Sequence, residues 1–374
     1  MTQYLLFVSI AFILSAACGF VFIPLIMNFC KEKGLYDIPD SRKIHKTAIP
    51  RLGGISFLPS MLLASIIVVA LHNNHFLGHE ITLSTWSIGF FVSLLIIYGV
   101  GLIDDLVGLG AKTKFTAQII AALLLPLMGL YVNNLYGFLG IHEIPSSIGM
   151  PLTVFVIVFI SNAINLIDGI DGLSAGLSLI ALTGFLICFL REGLIAYSIL
   201  IAGLMGVLVP FLYFNIYGKA DKNRKIFMGD SGSLTLGFIL GFLFVKFTMF
   251  NPSVAPFHLD SMMLAYSLLI VPVFDVVRVS LARIYHHKPI FSADKNHIHH
   301  KLMRTGINQH QALLTILLLS IFFITTNILL WNILDMSILV VIDIVIWVLF
   351  HSLLDRILRK KGQAVFLINP KETA

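Results

Sequence analysis

Five aspartates that could hold a cation stand in three glycine-flanked clusters, at the ends of strongly apolar stretches of this chain. The clusters are Asp104 with Asp105, Asp168 with Asp171, and Asp230. A carboxylate in or near a bilayer is costly and is retained mainly where it has a function. Because carboxylate oxygens are ligands for hard cations, the five together indicate a site for a polyvalent cation.

The first cluster, within residues 101–109, closes one apolar run and is followed by Lys112, Thr113 and Lys114. Adjacent carboxylates repel each other, and the carboxyl end of a helix is unfavourable for negative charge. A positive partner is therefore expected, and Mg²⁺ is the natural candidate because it binds carboxylates together with substrate phosphates. The alternative is a solvated helix end in which Asp105 pairs with Lys112 or Lys114.

The second cluster is built on a spacing of three. Asn162, Asn165 and Asp168 lie three residues apart, so they share one face of a helical end. Two glycines in the segment let the backbone turn and approach a ligand closely. Asp171 follows, and its alternative role is to cap the next helix. So many amide and carboxylate groups favour a ligand site, because capping needs only one of them.

The third cluster opens another apolar run with the segment 229–233, Gly-Asp-Ser-Gly-Ser, and follows the basic stretch 219–225. Hydroxyl groups, flexible backbone and the positive end of a helix suit a metal-bound phosphate. The segment is not a P-loop, because that motif ends in Gly-Lys-Ser or Gly-Lys-Thr. An ordinary helix cap is the alternative.

A fourth group combines imidazoles with fixed positive charges. It contains Arg283, His286, His287, Lys288, Lys295, His297, His299, His300 and Lys301. Structural zinc sites usually contain cysteine, which this segment lacks, so these histidines are better interpreted as hydrogen-bond donors to phosphate. Upstream, Asp275 and Arg278 are three residues apart, the spacing of a structural ion pair.

The composition points to a membrane. Hydrophobic residues make up 58% of the 374 positions and charged residues 12%, which excludes an ordinary water-soluble globule. Apolar runs long enough to span a bilayer as helices occur at 4–29, 52–72, 86–103, 115–132, 151–167, 174–190, 195–215, 231–249, 261–283, 310–332 and 337–355. We therefore predict an all-α integral membrane protein, a polytopic bundle of about eleven transmembrane helices. Residues 1–355 are expected to form a single catalytic domain and 356–374 a basic cytoplasmic tail.

Basic residues predict which side each loop faces, because lysine and arginine accumulate in cytoplasmic loops. Eleven helices with the N-terminus outside and the C-terminus inside place 23 of the 25 lysines and arginines in cytoplasmic segments. Arg191 and Lys246 are the exceptions. All five aspartates then face the cytoplasm. Nucleic acid is not expected as a partner, because the basic residues are scattered among short loops without an aromatic-interleaved patch.

In combination, these segments resemble the polyprenyl-phosphate N-acetylhexosamine-1-phosphate transferases, and most closely the bacterial branch that makes undecaprenyl-pyrophosphoryl-GlcNAc. The resemblance covers residues 34 to about 305. Its motifs are GLYDIPDSRKIHKTAIPRLGG, GLIDDLVGL, NAINLIDGIDGL, FMGDSGSL and DKNHIHHKL. It implies that the phosphate of a membrane polyprenol attacks the β-phosphate of a UDP-amino sugar, releasing UMP and starting a cell-surface polysaccharide.

The resemblance also implies roles for individual residues. The catalytic group is Asp104, Asp105, Lys114, Asp168, Asp171 and Asp230. The metal ligands are Asp230, Asp105 and Asp168. Lys43, His45, Asp104, Asp105 and Lys114 are expected at the lipid phosphate. Asn162, Asn165, Asp168, Asp171 and Phe227 are expected at the nucleotide, with Phe227 stacking on uracil. Arg283, His297, His299 and His300 are expected at the pyrophosphate and sugar.

The expected cofactor is Mg²⁺, with Mn²⁺ as a substitute, and the expected partners are a UDP-N-acetylhexosamine, undecaprenyl phosphate and membrane lipids. The expected location is the bacterial inner membrane, with the active site facing the cytoplasm. A homodimer, the identity of the sugar, and the role of Asp104 as general base or as a positioning group all stay open.

Two alternative functions are less consistent with these residues. The related translocase of phospho-N-acetylmuramoyl-pentapeptide usually shows three consecutive histidines followed by Phe-Glu, whereas this chain has His-Ile-His-His-Lys at 297–301. That departure favours UDP-GlcNAc or another UDP-N-acetylhexosamine. An ion-coupled transporter is the more distant alternative, because transporters place their carboxylates near the bilayer midplane on broken helices of repeated halves.

Overall fold

The computed structural model describes residues 2–37, 48–75, 81–82, 84–222, 224–251, 258–289 and 295–367. Its α-helices, labelled α1 to α13 in chain order, are Thr2–Lys33, Phe57–His75, Thr85–Val107, Ala111–Leu127, Ser146–Ile167, Leu173–Arg191, Ile195–Leu212, Gly229–Thr248, Ser261–Ser267, Ile270–Tyr285, Ile298–Arg304, Gln309–Leu330 and Met336–Lys360. Short 3₁₀ turns lie at Gly53–Ser56 and Ala220–Lys222, and a π-helical turn follows α7 at Tyr213–Tyr217.

The prediction of an all-α, multi-pass membrane protein is confirmed. Within the described residues, nine helices are long and apolar enough to cross a membrane, and a bent pair would make a tenth. Every one of the eleven predicted apolar runs contains a helix. However, α4 has only 17 residues, fewer than the roughly 20 that a bilayer requires. The number of spans and their orientation therefore stay predictions.

The ninth predicted run is broken in two. It was expected to be one helix over 261–283, but α9 and α10 meet at an angle of 67°. Pro272 lies at the third position of α10. A proline there has no N–H to donate, and in a continuous helix its ring would collide with the carbonyl of Leu268. The helix therefore stops before the proline and restarts in a new direction.

Helix α8 is the most enclosed of these membrane helices and packs mainly against α3 and α5. Its amino-terminal end is also fastened to the segment that leads into α2. The Gly53 N–H donates to the carbonyl of Phe227, and the Gly54 N–H donates to that of Met228. Phe227 in turn donates to the Pro50 carbonyl. The backbone just before the third aspartate cluster is therefore held in place by hydrogen bonds to the segment that precedes α2.

Two short antiparallel strand pairs were not predicted. Strand β1 (Tyr36–Asp37) pairs with β2 (Ile49–Pro50), and β3 (Asn134–Phe138) pairs with β4 (Ile141–Glu143) with an irregularity in register. Strands of two to five residues carry too little alternation of polar and apolar positions to be recognised in a sequence. The first pair lies near the site and sets the path of the chain on either side of residues 38–47.

Two aspartates that carried no pattern in the sequence have structural roles. Asp335 caps α13, because its carboxylate accepts the N–H groups of Ser337 and Ile338. Asp343, which is fully buried within α13, accepts a hydrogen bond of 3.0 Å from the Asn327 amide of α12. The same amide donates to the Ser267 hydroxyl at 2.9 Å. A polar cluster therefore links the last two long helices to α9.

This cluster predicts an asymmetry between single and double substitution. Asn327→Leu should lower the free energy of unfolding by about 1–3 kcal/mol, because it leaves the buried Asp343 carboxylate without that donor. Adding Asp343→Leu should restore most of the loss, since no unpaired carboxylate then remains. Thermal unfolding in detergent measures both variants. A double variant less stable than Asn327→Leu alone would contradict the prediction.

Candidate active site

One cavity of about 640 Å³ brings the aspartate clusters together. This volume lies within the usual range of small-molecule sites. Its polar lining consists of Asp37, Arg51, Asp104, Asp105, Asn165, Asp168, Asp171, Asn215, Lys225, Asp230, Ser233, His300 and Gln309. The carboxyl ends of α3 and α5 and the amino end of α8 supply its five clustered aspartates. Six carboxylates thus face two basic side chains, Arg51 and Lys225, across one cavity.

Lys114 connects the first and third clusters. Its ammonium lies 2.9 Å from Asp104 Oδ2 and 2.9 Å from Asp230 Oδ2. The other oxygen of Asp104 accepts the N–H of Leu109 at 2.5 Å, which fixes the carboxylate at the turn between α3 and α4. The alternative pairing of a lysine with Asp105 is therefore not what the structure shows. Lys114 instead neutralises one carboxylate from each of these two clusters.

Asp105 holds the start of α8. Its two oxygens accept the backbone N–H groups of Asp230 and Ser231 at 2.8 and 2.9 Å. A negative group at this end of a helix is favoured by the helix dipole and by the free N–H groups there. The cap of α8 therefore comes from another helix, and Asp230 is left free to face the cavity.

Gly229 permits this close approach. Its φ of +75° belongs to the left-handed region, and a Cβ there would lie 2.2 Å from the Arg51 carbonyl and 2.6 Å from an oxygen of Asp105. Any larger residue would push Asp105 away from the helix end that it caps.

Only one of the two asparagines of the second cluster reaches the site. The Asn165 amide donates to Asp230 Oδ1 at 2.6 Å and to the Ser233 hydroxyl at 2.8 Å. Asn162 instead donates to Gln118 of α4 and to the Val158 carbonyl, and it is not among the residues that line the cavity as described. The spacing of three residues places both asparagines on one face of α5. Asn162, however, contacts α4, which packs against that part of the face.

Asp168 and Asp171 differ in their surroundings. Asp171 forms an ion pair of 2.7 Å with Lys225, while the helix cap of α6 is Gly172, so Asp171 is not the cap. The Asp168 carboxylate has no hydrogen-bond donor among the described residues. Burial, followed by the charges of Asp230, Asp171 and Asp105, raises the pKa of Asp168 to about 8. This carboxylate is the group in the cavity that most lacks a positive partner.

The imidazole group is ordered by a buried carboxylate. Asp275 of α10 accepts a hydrogen bond of 2.7 Å from His297 Nδ1, and its other oxygen lies 2.8 Å from Arg278 and 3.0 Å from the Ile298 N–H. Asp275 therefore does more than pair with Arg278. It also fixes one ring nitrogen of His297 and the start of α11. Sequence spacing alone indicated only the contact with Arg278.

His299 lies against the loop that carries Asp168. A Cβ added to Gly169 would come within 2.1 Å of His299 Nε2. Burial, then the charges of His300 and His297, lower the pKa of His299 well below its usual value, so the ring is neutral. Neither ring nitrogen of His299 has a hydrogen-bond partner in the described part of the chain. His300 lines the cavity, whereas His297 and His299 are buried and do not line it as described.

Several predicted site residues remain to be placed. Lys43 and His45 lie outside the described residues. Arg283 is buried on α10 and does not line the cavity as described, whereas Phe227 does. The stacking of Phe227 on uracil stays a prediction.

Several residues at the site were not singled out from the sequence, among them Arg51, Lys225 and Asn215. Arg51 and Lys225 line the cavity, and Asn215 accepts the Gly172 N–H at 2.7 Å while donating to the Ile226 carbonyl at 2.9 Å. Asn215 thereby ties the second aspartate loop to the segment before α8. In the sequence Asn215 is only a single amide at the end of an apolar run, which does not by itself indicate a site. In the structure it lies in a π-helical turn, a feature often found at functional sites.

The carboxylate and amide oxygens at the cavity are of the kind that Mg²⁺ binds as ligands. No three His, Cys, Asp or Glu side chains in the described ranges converge closely enough to form a complete metal site. Magnesium, however, usually takes one or two carboxylates and fills its remaining positions with water and substrate phosphate. Asp168, which accepts no hydrogen bond from the described residues, is suited to that role. Asp230 is also suited, because its oxygens are held by the side chains of Asn165 and Lys114, which can move aside. Asp105 is not, in this arrangement, because both of its oxygens accept backbone N–H groups that are fixed at the start of α8.

Comparison with known proteins places the chain in a family. A sequence profile of glycosyl transferase family 4 matches residues 87–248, which contain all five aspartates. A "probable undecaprenyl-phosphate N-acetylglucosaminyl 1-phosphate transferase" of Bacillus subtilis (strain 168) is 32% identical over 317 residues, covering 84% of this chain and 83% of the relative. The chain belongs to glycosyl transferase family 4. The resemblance first carried by five short motifs is thus confirmed over most of the chain.

Two further relatives carry similar names. The decaprenyl-phosphate N-acetylglucosaminephosphotransferase of Mycobacterium leprae (strain TN) is 33% identical, with 75% of this chain and 73% of the relative covered. The undecaprenyl-phosphate α-N-acetylglucosaminyl 1-phosphate transferase of Escherichia coli (strain K12) is 28% identical, with 80% and 78% covered. The family profile ends at residue 248, so the imidazole group around α11 lies beyond it.

The contact of Gly169 with His299 generates a prediction. Gly169→Ala should lower kcat/KM at least tenfold, because the added methyl group must displace either the Asp168 loop or α11. Gly110→Ala is the matched control, since a Cβ at Gly110 would meet nothing within 4 Å. Steady-state kinetics and thermal unfolding of both purified variants test this. Equal activity of the two variants would contradict the proposed contact.

The raised pKa of Asp168 predicts how stability depends on pH. Its value in the folded protein, about 8, lies above its usual 3.8, so the contribution of this group is greatest at low pH and is lost as pH rises towards 8. In chelator, the unfolding temperature should therefore fall between pH 6 and pH 8, and fall less in Asp168→Asn. Added Mg²⁺ should raise it more at pH 8 than at pH 6. The opposite ordering of wild type and variant would refute the assignment.

Proposed function

We propose that this chain transfers GlcNAc 1-phosphate from UDP-GlcNAc to undecaprenyl phosphate, releasing UMP and forming a lipid-linked sugar pyrophosphate. The observation that carries the proposal is the single cavity into which all five clustered aspartates project. It is supported by the printed activities of the relatives, which name a polyprenyl-phosphate acceptor and an N-acetylglucosamine phosphate group. The protein is an enzyme, a glycosyl-1-phosphate transferase.

The reaction exchanges one phosphoanhydride bond for another. A phosphate oxygen of the polyprenyl phosphate attacks the β-phosphorus of the UDP-sugar and forms the new P–O bond. The bond from that phosphorus to the bridging oxygen breaks, and UMP leaves with the oxygen and its electron pair. Because a phosphate monoester has a second pKa near 6, the acceptor is already mostly a dianion at neutral pH. No proton has to be removed before attack.

The main barrier is therefore electrostatic. Two anionic substrates must approach each other in a cavity whose lining has more carboxylates than basic groups. A bound Mg²⁺ would supply the compensating positive charge that phosphoryl transfer requires. We assign Asp168 and Asp230 to hold it, with Mn²⁺ as a substitute. Asp105 supports this pair by fixing the backbone of Asp230.

The basic groups around the cavity would position the phosphates. Lys114, held between Asp104 and Asp230, lies where a substrate phosphate could replace one of its two carboxylate partners. Lys225 and Arg51 line the same cavity. Asp104 accepts hydrogen bonds on both oxygens, so we assign it to orienting Lys114 and the α3–α4 turn. A general base is not required by the protonation state of the acceptor.

The distribution of basic residues also supports a proposal for the membrane and for the side that the cavity faces. With the basic loops inside, the cavity faces the cytoplasm of a bacterial cell, where UDP-sugars are made, and the apolar helices lie in the inner membrane. The phospho-N-acetylmuramoyl-pentapeptide translocase activity is not favoured, because the similar proteins are named for N-acetylglucosamine.

A membrane assay tests the function directly. Labelled UDP-GlcNAc, undecaprenyl phosphate and Mg²⁺ should yield label in the organic phase, and excess UMP should reverse the transfer. Asp230→Asn should reduce turnover by at least a thousandfold, because the variant loses a carboxylate that we assign to charge compensation. Asp335→Asn is the matched control, since asparagine still caps α13. Absence of transfer from every UDP-amino sugar would sink the proposal, and transfer only from the muramoyl peptide would redirect it.

A further inference from the structure

The chain beyond α13 turns back onto the imidazole group. The segment 361–367, here called the strap, follows the last helix and lies against α11 and the loop before it. The sequence assigned this region to a basic tail that mainly signals orientation. In the structure α13 continues to Lys360, and the strap then makes specific contacts.

The firmest contact of the strap is a pair of hydrogen bonds with one side chain. The Asn296 amide donates to the Leu367 carbonyl at 3.2 Å, and the Leu367 N–H donates to Asn296 Oδ1 at 2.9 Å. Both residues are buried. An asparagine side chain that satisfies both backbone groups of one residue mimics a strand pairing, so it recognises an extended strap in a single register.

Other strap contacts surround this pair. Arg304 donates to the Ala364 carbonyl at 2.9 Å, and Lys361 donates to the Thr305 carbonyl at 2.5 Å, so the end of α11 is also held. The Phe366 ring stacks on His286, with centroids 4.3 Å apart and planes 13° from parallel. The strap thus touches the end of α10, the loop before α11 and the end of α11.

The helix α13 reinforces the strap from inside the bundle. Lys301 of α11 is almost fully buried and forms an ion pair with Asp355 of α13. Its ammonium also lies 3.5 Å from His351 Nδ1. A buried lysine requires such partners, because an unpaired charge there would be costly. His351 and Asp355, which the proposed reaction does not use, therefore have a common function on the inner side of α11.

Helix α11 needs this support. It has only seven residues, and helices this short are not stable on their own in water. Its first turns carry the imidazoles that the family resemblance implies lie near the donor sugar and pyrophosphate. Errors of an ångström in such groups reduce catalysis markedly.

We propose that the strap is a positioning element of the donor site: Leu367, gripped by Asn296, and the Lys301–Asp355 pair set the place of α11 and hence of His300 in the cavity. This inference rests on the proposed function only for its effect on kinetics. The structural part, the dependence of α11 on the strap, stands independently of which substrate is used.

The structural part is tested by amide hydrogen exchange of the full chain in lipid nanodiscs. Leu367→Asp should release the strap, because it puts a charge at a buried position, whereas Leu367→Met should retain it. Peptides covering 296–305 should exchange at least tenfold faster in the first variant only, with α1 and α8 unchanged. If Leu367→Asp does not fold, Phe366→Ala offers a milder release by removing the stack on His286.

The kinetic part is tested on the same variants. Leu367→Asp should raise KM for UDP-GlcNAc at least fivefold while KM for undecaprenyl phosphate changes less than twofold, and Leu367→Met should match wild type. Unchanged exchange over 296–305 on release of the strap would overturn the proposal. Faster exchange with both KM values unchanged would overturn the positioning role. Inactive wild type would refute the proposed function instead, and the exchange result would still decide the strap.

Discussion

The contact between the Asp105 carboxylate and the start of α8 is the interaction on which the site depends. Two charge-assisted hydrogen bonds from the Asp230 and Ser231 backbone join the end of one membrane helix to the beginning of another. The contact requires Gly229 in a left-handed conformation, because any Cβ would separate the two helices there. Once it forms, Asp230 is presented to the cavity at a fixed place beside Asn165 and Lys114.

The cavity that results carries more negative charge than its own lysines and arginine can balance. Lys114 and Lys225 each neutralise part of it, and Asp168 is left with carboxylates as neighbours and no donor in the described chain. Such an arrangement is unfavourable for the protein alone and becomes favourable when cations and phosphates bind together. The excess of carboxylates over basic groups therefore indicates a ligand that combines a cation with phosphate groups.

The sequence predicted more of the site's composition than of its geometry. Each aspartate cluster was found from local features, namely glycines, spacing and position at the end of an apolar run, and all of them line one cavity. The assignment of Asn162 to that cavity failed to match the structure, since the side chain bonds to Gln118. The proline at 272 could have predicted the break between α9 and α10. The apolar run around it is long enough for one span, so it was interpreted as a single helix.

The sequence by itself determined that this is a multi-pass helical membrane protein with phosphate-transfer chemistry. The length of its apolar runs and the residues of its motifs are local properties, which can be read along the chain before it folds. Only the tertiary structure decided which groups act on which. That Asp105 caps a helix 125 residues away, that Asp275 orients His297, and that Asn296 grips Leu367 are contacts between distant segments. No periodicity or spacing encodes such contacts, since they follow from how the helices pack and where each one ends.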